Sequence, residues 1–401
     1  MVECDYNMKM NLFKTFLFLA ALLMLPSYAK ADWQSTLAAQ FDHVETFDNL
    51  ADWRGSCSAN GWVYTGPSGS LFNGYACFGS SPTTNWIQNF GTGTNVTGKS
   101  LSMDMNNTYG PGRILAYIGD GTPTSGYEDA YIFFRVKFLP GLFISPSQAA
   151  TDYWGYFKFF VPSAGFTSAS AWGTAEERAT ACQDQQTLSA YGPNYFIMNW
   201  DYLGNLHNIA MACPRPAVYN STCSRVSGSG IETDNSICND GTHWIKDSDL
   251  SEGNGTFDMY NYQDRLLGLE IHISLGADSG GSTHNRYLTW EYWLYDETGN
   301  VLHHWQALSN GVPTAYRSAG FTAGQTIPGT ALFPTHKYNR FELGGNVLLN
   351  HSGTNQAPSS GRFYVDDFII NGSRIGPSYY RSLAGGNDTT APAAPSGLSV
   401  R

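Results

Sequence analysis

The stretch RFYVDDFIINGSRIGPSYY, Arg362 to Tyr380, reads as a β-strand carrying two adjacent acids, Asp366 and Asp367, at its centre. Phe363, Val365, Asp367 and Ile369 share one parity, and Tyr364, Asp366, Phe368 and Ile370 the other. Strict alternation therefore sends one carboxylate to each face of the sheet. A buried carboxylate is costly unless it is paired, hydrogen-bonded or metal-bound. Two readings follow. One is a structural Ca²⁺ that gathers oxygens from separate segments, with Asp366, Asp367 and Glu45 as ligands and Asp48 nearby in HVETFDNL. The other leaves one Asp in water at the strand edge while its neighbour accepts hydrogen bonds from a loop.

Upstream, alternating segments recur between clusters of Gly, Asn, Asp, Ser and Pro. Strands are expected at 130–139, 152–161, 194–203, 265–275, 286–296, 301–308, 338–345 and 362–370. DETGN, 296–300, reads as a hairpin turn with Gly299 free to take positive φ. The one helical signal is the capping box from Thr174 to Glu177, followed by RATACQDQQTLSA. The pattern predicts an all-β chain: a two-sheet antiparallel β-sandwich or jelly roll with one short helical excursion. Composition agrees, since aromatic residues make up 14% and charged residues only 14%, with 43 glycines. With a net charge of −11 and no dense basic run, nucleic acid is not an expected partner. G-x-S-x-G, H-E-x-x-H and phosphate-binding glycine motifs are absent, which removes support for serine-hydrolase and nucleotide chemistry.

Residues 1–31 read as a signal peptide: Lys9 and Lys14 precede an apolar run from Phe16 to Leu25, then Ala29-Lys30-Ala31. The run is shorter than the about 20 residues that span a bilayer. The expectation is a secreted protein, extracellular or periplasmic, with no membrane span. Beyond the leader stand Cys57, Cys77, Cys182, Cys213, Cys223 and Cys238, an even set suited to disulfides in an oxidising compartment. Short loops favour Cys57 with Cys77 and Cys223 with Cys238, leaving Cys182 with Cys213. One domain is expected over 32–382. The tail, 383–401, reads as a disordered linker, and its DTTAPAAPSGLSV resembles the approach to a fibronectin type III module, implying further modules in a longer parent chain.

YVDDFIINGSRIGP resembles the closing strand of the concanavalin A-like lectin/glucanase superfamily, in its heparin-lyase-like, polysaccharide-lyase-like branch. VETFDNLADW, YIFFRVKFLPGLF, LGLEIHISLG with YLTWEYWLYDETGN, and KYNRFELGGN resemble its other strands in the same order. The resemblance spans about 41–381 and implies two antiparallel sheets, one concave, with a glycan across the concave face.

Strand parity supplies residues for such a face. With Ile132, Phe134, Val136 and Phe138 inward, Tyr131, Phe133, Arg135 and Lys137 lie opposite; with Leu269, Ile271 and Ile273 inward, Glu270, His272 and Ser274 lie opposite. Similar rows hold Trp154, Tyr156 and Lys158, and Glu291 and Trp293. Aromatic faces stack on sugars while charges fix hydroxyls and carboxylates. The same rows also suit a second small core beneath long loops. A lyase acting on a uronate polysaccharide would use Arg135 or Lys158 to neutralise the carboxylate, His272 or His207 as base and Tyr131 or Tyr156 as acid, with Trp154 and Trp293 against the sugars. A glycoside hydrolase would use Glu270 and Glu291, although the glucanase E-x-D-x-x-E strand is absent. A non-catalytic lectin-like module needs only the aromatic row.

Overall fold

The computed structural model describes residues 32–55, 66–76, 85–91, 93–104, 112–122, 124–143, 156–164, 195–201, 206–211, 242–247, 259–274, 287–306, 308–309, 312–313, 316–317, 337–345, 347–348 and 361–385. The leader, the six cysteines, the 174–186 helical signal and the tail beyond 385 lie outside the described residues.

The strands run in chain order as β1 (His43–Glu45), β2 (Trp53–Arg54), β3 (Gly74–Ala76), β4 (Asn85–Gln88), β5 (Ser100–Asp104), β6 (Gly112–Tyr117) and β7 (Asp129–Phe138). They continue as β8 (Tyr156–Ala164), β9 (Tyr195–Asp201), β10 (Leu206–Met211), β11 (Thr242–Asp247), β12 (Leu266–Ser274), β13 (Tyr287–Tyr295) and β14 (Val301–Gln306). The last are β15 (Leu308–Ser309), β16 (Val312–Pro313), β17 (Tyr316–Arg317), β18 (Tyr338–Gly345), β19 (Val347–Leu348) and β20 (Arg362–Asn371). Helices α1 (Trp33–Ala38) and α2 (Gly376–Leu383) stand near the two ends of the described chain.

Among these residues a ten-stranded sheet is ordered β14-β13-β12-β7-β20-β5-β4-β2, with β1 on β20 and β17 on β13, and an eight-stranded sheet is ordered β11-β10-β9-β8-β18-β6-β3, with β19 on β8. The pairings are antiparallel, and the architecture is a β-sandwich of jelly-roll type. The inward rows expected on β7 and β12 enter the main core. They meet the other sheet through aromatic contacts: Phe134 lies 5.6 Å from Phe159 and 5.8 Å from Phe160, and Phe138 lies 5.5 Å from Phe159. The 296–300 turn closes with Gly299 at φ 97° and Asp296 accepting from the Thr298 and Asn300 amides.

The acid pair departs from strict alternation. Asp366 stands opposite Arg135 but Ile369 stands opposite Phe133, so β20 holds one extra residue between them, a bulge. Asp367 takes φ 48°, a left-handed conformation that aspartate tolerates better than branched residues. Inward parity therefore changes across the bulge: Phe363 and Val365 enter the core before it, Phe368 and Ile370 after it. Both carboxylates come to the same outer face instead of opposite ones.

On that outer face a second core forms. Leu37 and Phe41, and Ile375, Tyr379 and Tyr380, pack onto Phe133, Tyr295 and Ile369. Asp367 accepts from Trp33 Nε1 at 2.9 Å and from the Tyr379 hydroxyl at 2.5 Å, tying both helices to one side chain. Asp366 accepts from the Val96 amide at 2.6 Å. Neither helix was expected from the sequence, yet α1 has an Asp32 N-cap accepting from Ser35, and α2 has a proline in its first turn and Arg381 in its last.

Burial pushes the Asp367 carboxyl up to about 6, against the lowering effect of the Tyr379 and Trp33 hydrogen bonds. Burial, and then the Asp367 charge, push Asp366 well up. An acid that holds its proton more tightly when folded adds stability that is complete below its unfolded pKa, about 4, and is lost as pH rises through the folded value. The melting temperature should therefore rise on going from pH 7 to pH 5, and Asp366→Asn should shrink that rise. Asp367→Ala, which strands the Trp33 and Tyr379 donors, should cost about 1–3 kcal/mol. Thermal melts of the three proteins across this range check both statements.

Candidate functional site

The residues proposed for a glycan groove divide between the two sheets. On the ten-stranded sheet, α2 covers most of them. Arg135 is 2% exposed, donates to the Leu266 carbonyl at 2.5 Å, and lies beneath the Tyr379 and Tyr380 rings at 5.9 and 5.3 Å. Glu270 is 0% exposed. It accepts from the Ile375 amide at 2.5 Å, the Gly376 amide at 3.2 Å and the Tyr295 hydroxyl at 2.6 Å, with Arg374 Nε at 3.6 Å. A carboxylate receiving the first amides of a helix is an N-terminal cap in function. Burial raises its pKa. Arg135 as a substrate cation and Glu270 as half of a hydrolase pair are thus corrected: both belong beneath a helix the sequence reading did not anticipate. Trp293 is 7% exposed, with the Arg374 guanidinium 4.2 Å from its ring centre and His304 stacked at 5.1 Å, so its ring is engaged by protein.

Beside the helix, Asp129, His272, Glu291 and His304 form a chain. His272 Nε2 lies 2.5 Å from Asp129, its Nδ1 lies 3.2 Å from Glu291, and His304 Nε2 lies 2.7 Å from the other Glu291 oxygen. Tyr131 stacks on His272 at 4.1 Å and 4°. Burial opposes charge on His272, but the bonds to Asp129 and Glu291 outweigh it and raise its pKa to about 9. Burial likewise opposes the Glu291 charge, yet the two histidines lower it to about 2. Burial, with the nearby Asp129 and Glu291 charges, lifts Tyr131 to about 12. A histidine held between two carboxylates favours its protonated form, which does not suit the expected role as base.

The acids considered for Ca²⁺ do not share a site. Glu45 accepts from the Phe47 and Leu71 amides at 2.8 and 2.9 Å and from the Ser70 hydroxyl at 2.5 Å. Asp48 accepts from the Lys99 amide at 2.7 Å and from Thr97. Asp367 is occupied by Trp33 and Tyr379. Among the described residues no three His, Cys, Asp or Glu side chains are grouped to hold a metal.

The eight-stranded sheet gathers the remainder. Lys158 on β8 stands opposite Asn199 on β9, Asn199 opposite His207 on β10, and His207 opposite Lys246 on β11. Directly opposed residues share a face. Phe160, a core residue, stands opposite Met198, the neighbour of Asn199, so alternation assigns the row to the face away from the core. Tyr156, two positions from Lys158 and opposite Asp201, shares that face. Further along the sheet, Arg340 and Glu342 alternate with the core residues Phe341 and Leu343. Arg113 donates to Glu342 at 2.6 Å and Arg340 donates to its other oxygen. Burial would raise Glu342, but the Arg113 and Arg340 charges hold it below the usual carboxylate range. The register thus brings together Tyr156, Lys158 and His207, and adds Asn199 and Lys246, which the sequence reading did not single out. Trp154 lies outside the described residues.

No family model matches the chain, and no curated protein matches it. Among solved structures it is similar to the marine PL-14 alginate lyase from Aplysia kurodai, with a TM-score of 0.40 and 11% identity over 79% of this chain and 99% of that one. It is also similar to an endo-β-1,4-glucuronan lyase from the fungus Trichoderma reesei, at TM-score 0.32 and 8% identity, over 83% and 91%. The binding domain of botulinum neurotoxin serotype C1 is similar at TM-score 0.33 and 8% identity, over 75% and 45%. Likenesses this distant do not choose between enzyme and binding module.

Because His272 is held between two carboxylates, His272→Ala should lower stability by about 1–2 kcal/mol and leave glycan binding unaltered. Melting curves and retardation in polysaccharide-loaded gels check this. Lost retardation at unchanged melting temperature would return His272 to the binding site.

Proposed function

We propose that this protein is a secreted polysaccharide lyase that cleaves a uronate-containing polymer by β-elimination on the outer face of the eight-stranded sheet. The observation that carries the reading is the register that sets Lys158, Asn199 and His207 side by side on three consecutive strands, with Tyr156 two positions from Lys158. Elimination needs the uronate carboxylate neutralised so that the C5 proton becomes acidic, a base for that proton and an acid for the O4 leaving group. The Lys158 ammonium and the Asn199 amide are assigned to the carboxylate, His207 to the C5 proton and Tyr156 to O4. The C5–H and C4–O4 bonds break, a C4–C5 double bond forms, and the leaving oxygen receives a proton. Histidine has an unperturbed pKa near 6.5, which suits a base at neutral pH. The leader supports an exported protein, and among the described residues no helix is long and apolar enough to cross a membrane.

A lectin-like module would use the same face without turnover. Hydrolysis by Glu270 and Glu291 loses support because Glu270 is capped beneath α2.

Incubation with a panel of uronate and neutral polysaccharides separates these readings. The expected result is rising ultraviolet absorbance from the unsaturated uronate, with polyuronates only. Lys158→Ala and His207→Ala should each reduce turnover by about 100-fold or more at unchanged melting temperature. New reducing ends without absorbance would mean hydrolysis, and gel retardation without cleavage would mean a lectin.

A further inference from the structure

The row does not stop at the residues assigned to chemistry. Its fourth member, Lys246, stands opposite His207 on β11, the terminal strand of the eight-stranded sheet among the described residues. From Asn199 to Lys246 the row crosses two interstrand steps, about 10 Å at a spacing of about 4.8 Å. A polymer lying along the row advances roughly one sugar per strand, because the length of a 1,4-linked pyranose unit is close to that spacing. With the reacting uronate over Asn199, between Lys158 and His207, the sugar that reaches β11 is the second one along. In a 1,4-linked ribbon with near two-fold symmetry, that sugar presents its substituents to the same side as the reacting one.

We propose that Lys246 is a specificity-determining residue, binding the carboxylate of a second uronate two sugars from the one that reacts. The proposal rests on the lyase reading and extends it: the preferred substrate carries uronates at both positions, as a polyuronate block does, rather than isolated acidic sugars in a neutral chain. A lysine on a terminal strand has another use, since it discourages edge-to-edge pairing with a second molecule. That use predicts a change in oligomeric state and none in substrate affinity.

The test compares wild type with Lys246→Ala, Lys246→Gln and Lys246→Arg on a polyuronate and on oligouronates of increasing length. Melting temperature and solution mass are measured alongside. Loss of one charged hydrogen-bonded contact should raise KM about tenfold on the polymer and leave kcat within about twofold, with Lys246→Arg restoring most of the affinity. On the shortest cleaved oligomer, which lacks a sugar at this position, wild type and Lys246→Ala should coincide, and the gap should open as length increases. Equal KM at every length, with Lys158→Ala still inactive, would overturn the Lys246 assignment and leave the lyase reading standing. A shift in mass without a shift in KM would overturn it in favour of edge protection. If wild type binds the polyuronate without cleaving it, retardation in a polyuronate gel becomes the measure: weaker retardation of Lys246→Ala supports the contact, and equal retardation overturns it. No cleavage and no retardation of wild type would overturn the lyase reading and this inference together.

Discussion

One extra residue in β20 organises the ten-stranded sheet. Without the bulge at Asp367, alternation would direct one of the two carboxylates into the main core, among phenylalanines that offer no donor. With it, both acids reach the outer face, where Asp367 meets Trp33 and Tyr379 and Asp366 meets the Val96 amide. Two segments more than 330 residues apart in sequence are joined through one side chain. The unusual φ of Asp367 and the desolvation of two acids work against this arrangement. Burial of Leu37, Phe41, Ile375, Tyr379 and Tyr380 works for it, each large apolar side chain contributing about 1.5–3 kcal/mol as an upper estimate.

The covering has a direct consequence for where a ligand can lie. Arg135, Glu270 and Trp293 have the chemistry of a sugar-binding face, but a helix and its cap occupy them. Glu270 serves the first amides of α2, and Arg135 packs beneath two tyrosines of the same helix. On the other sheet Arg113, Arg340 and Glu342 are likewise buried on the outer face of β6 and β18, and the question of function passes to β8 to β11, where Lys158, Asn199, His207 and Lys246 occupy successive register positions.

Much of the fold was legible because period-two alternation in the long aromatic strands is a strong signal: β7, β12, β13, β18 and β20 fall within a residue or two of their expected bounds, and β7 and β12 turn the expected rows inward. The short strands β2 to β6 gave too few alternations to register. The bulge was invisible because nothing in YVDDFII distinguishes a paired residue from an inserted one. The site was less legible than the fold. Polar rows on the outer faces of both sheets look alike in sequence, and the identity of the sheet that a helix covers is a long-range property. Proline after Ile375-Gly376 did mark a helix start, and giving it weight would have placed a cover near Glu270. The transverse row on β8 to β11 depends on register between strands, which composition does not encode.

The central claim is that the working face belongs to the eight-stranded sheet and the helix-covered face is structural. Amide hydrogen exchange with and without a saturating oligouronate tests it most directly. Protection should increase in 156–164, 195–201, 206–211 and 242–247, with 129–138 and 266–274 unchanged. Protection confined to 129–138, 266–274 and α2, with the other four segments unaltered, would contradict it.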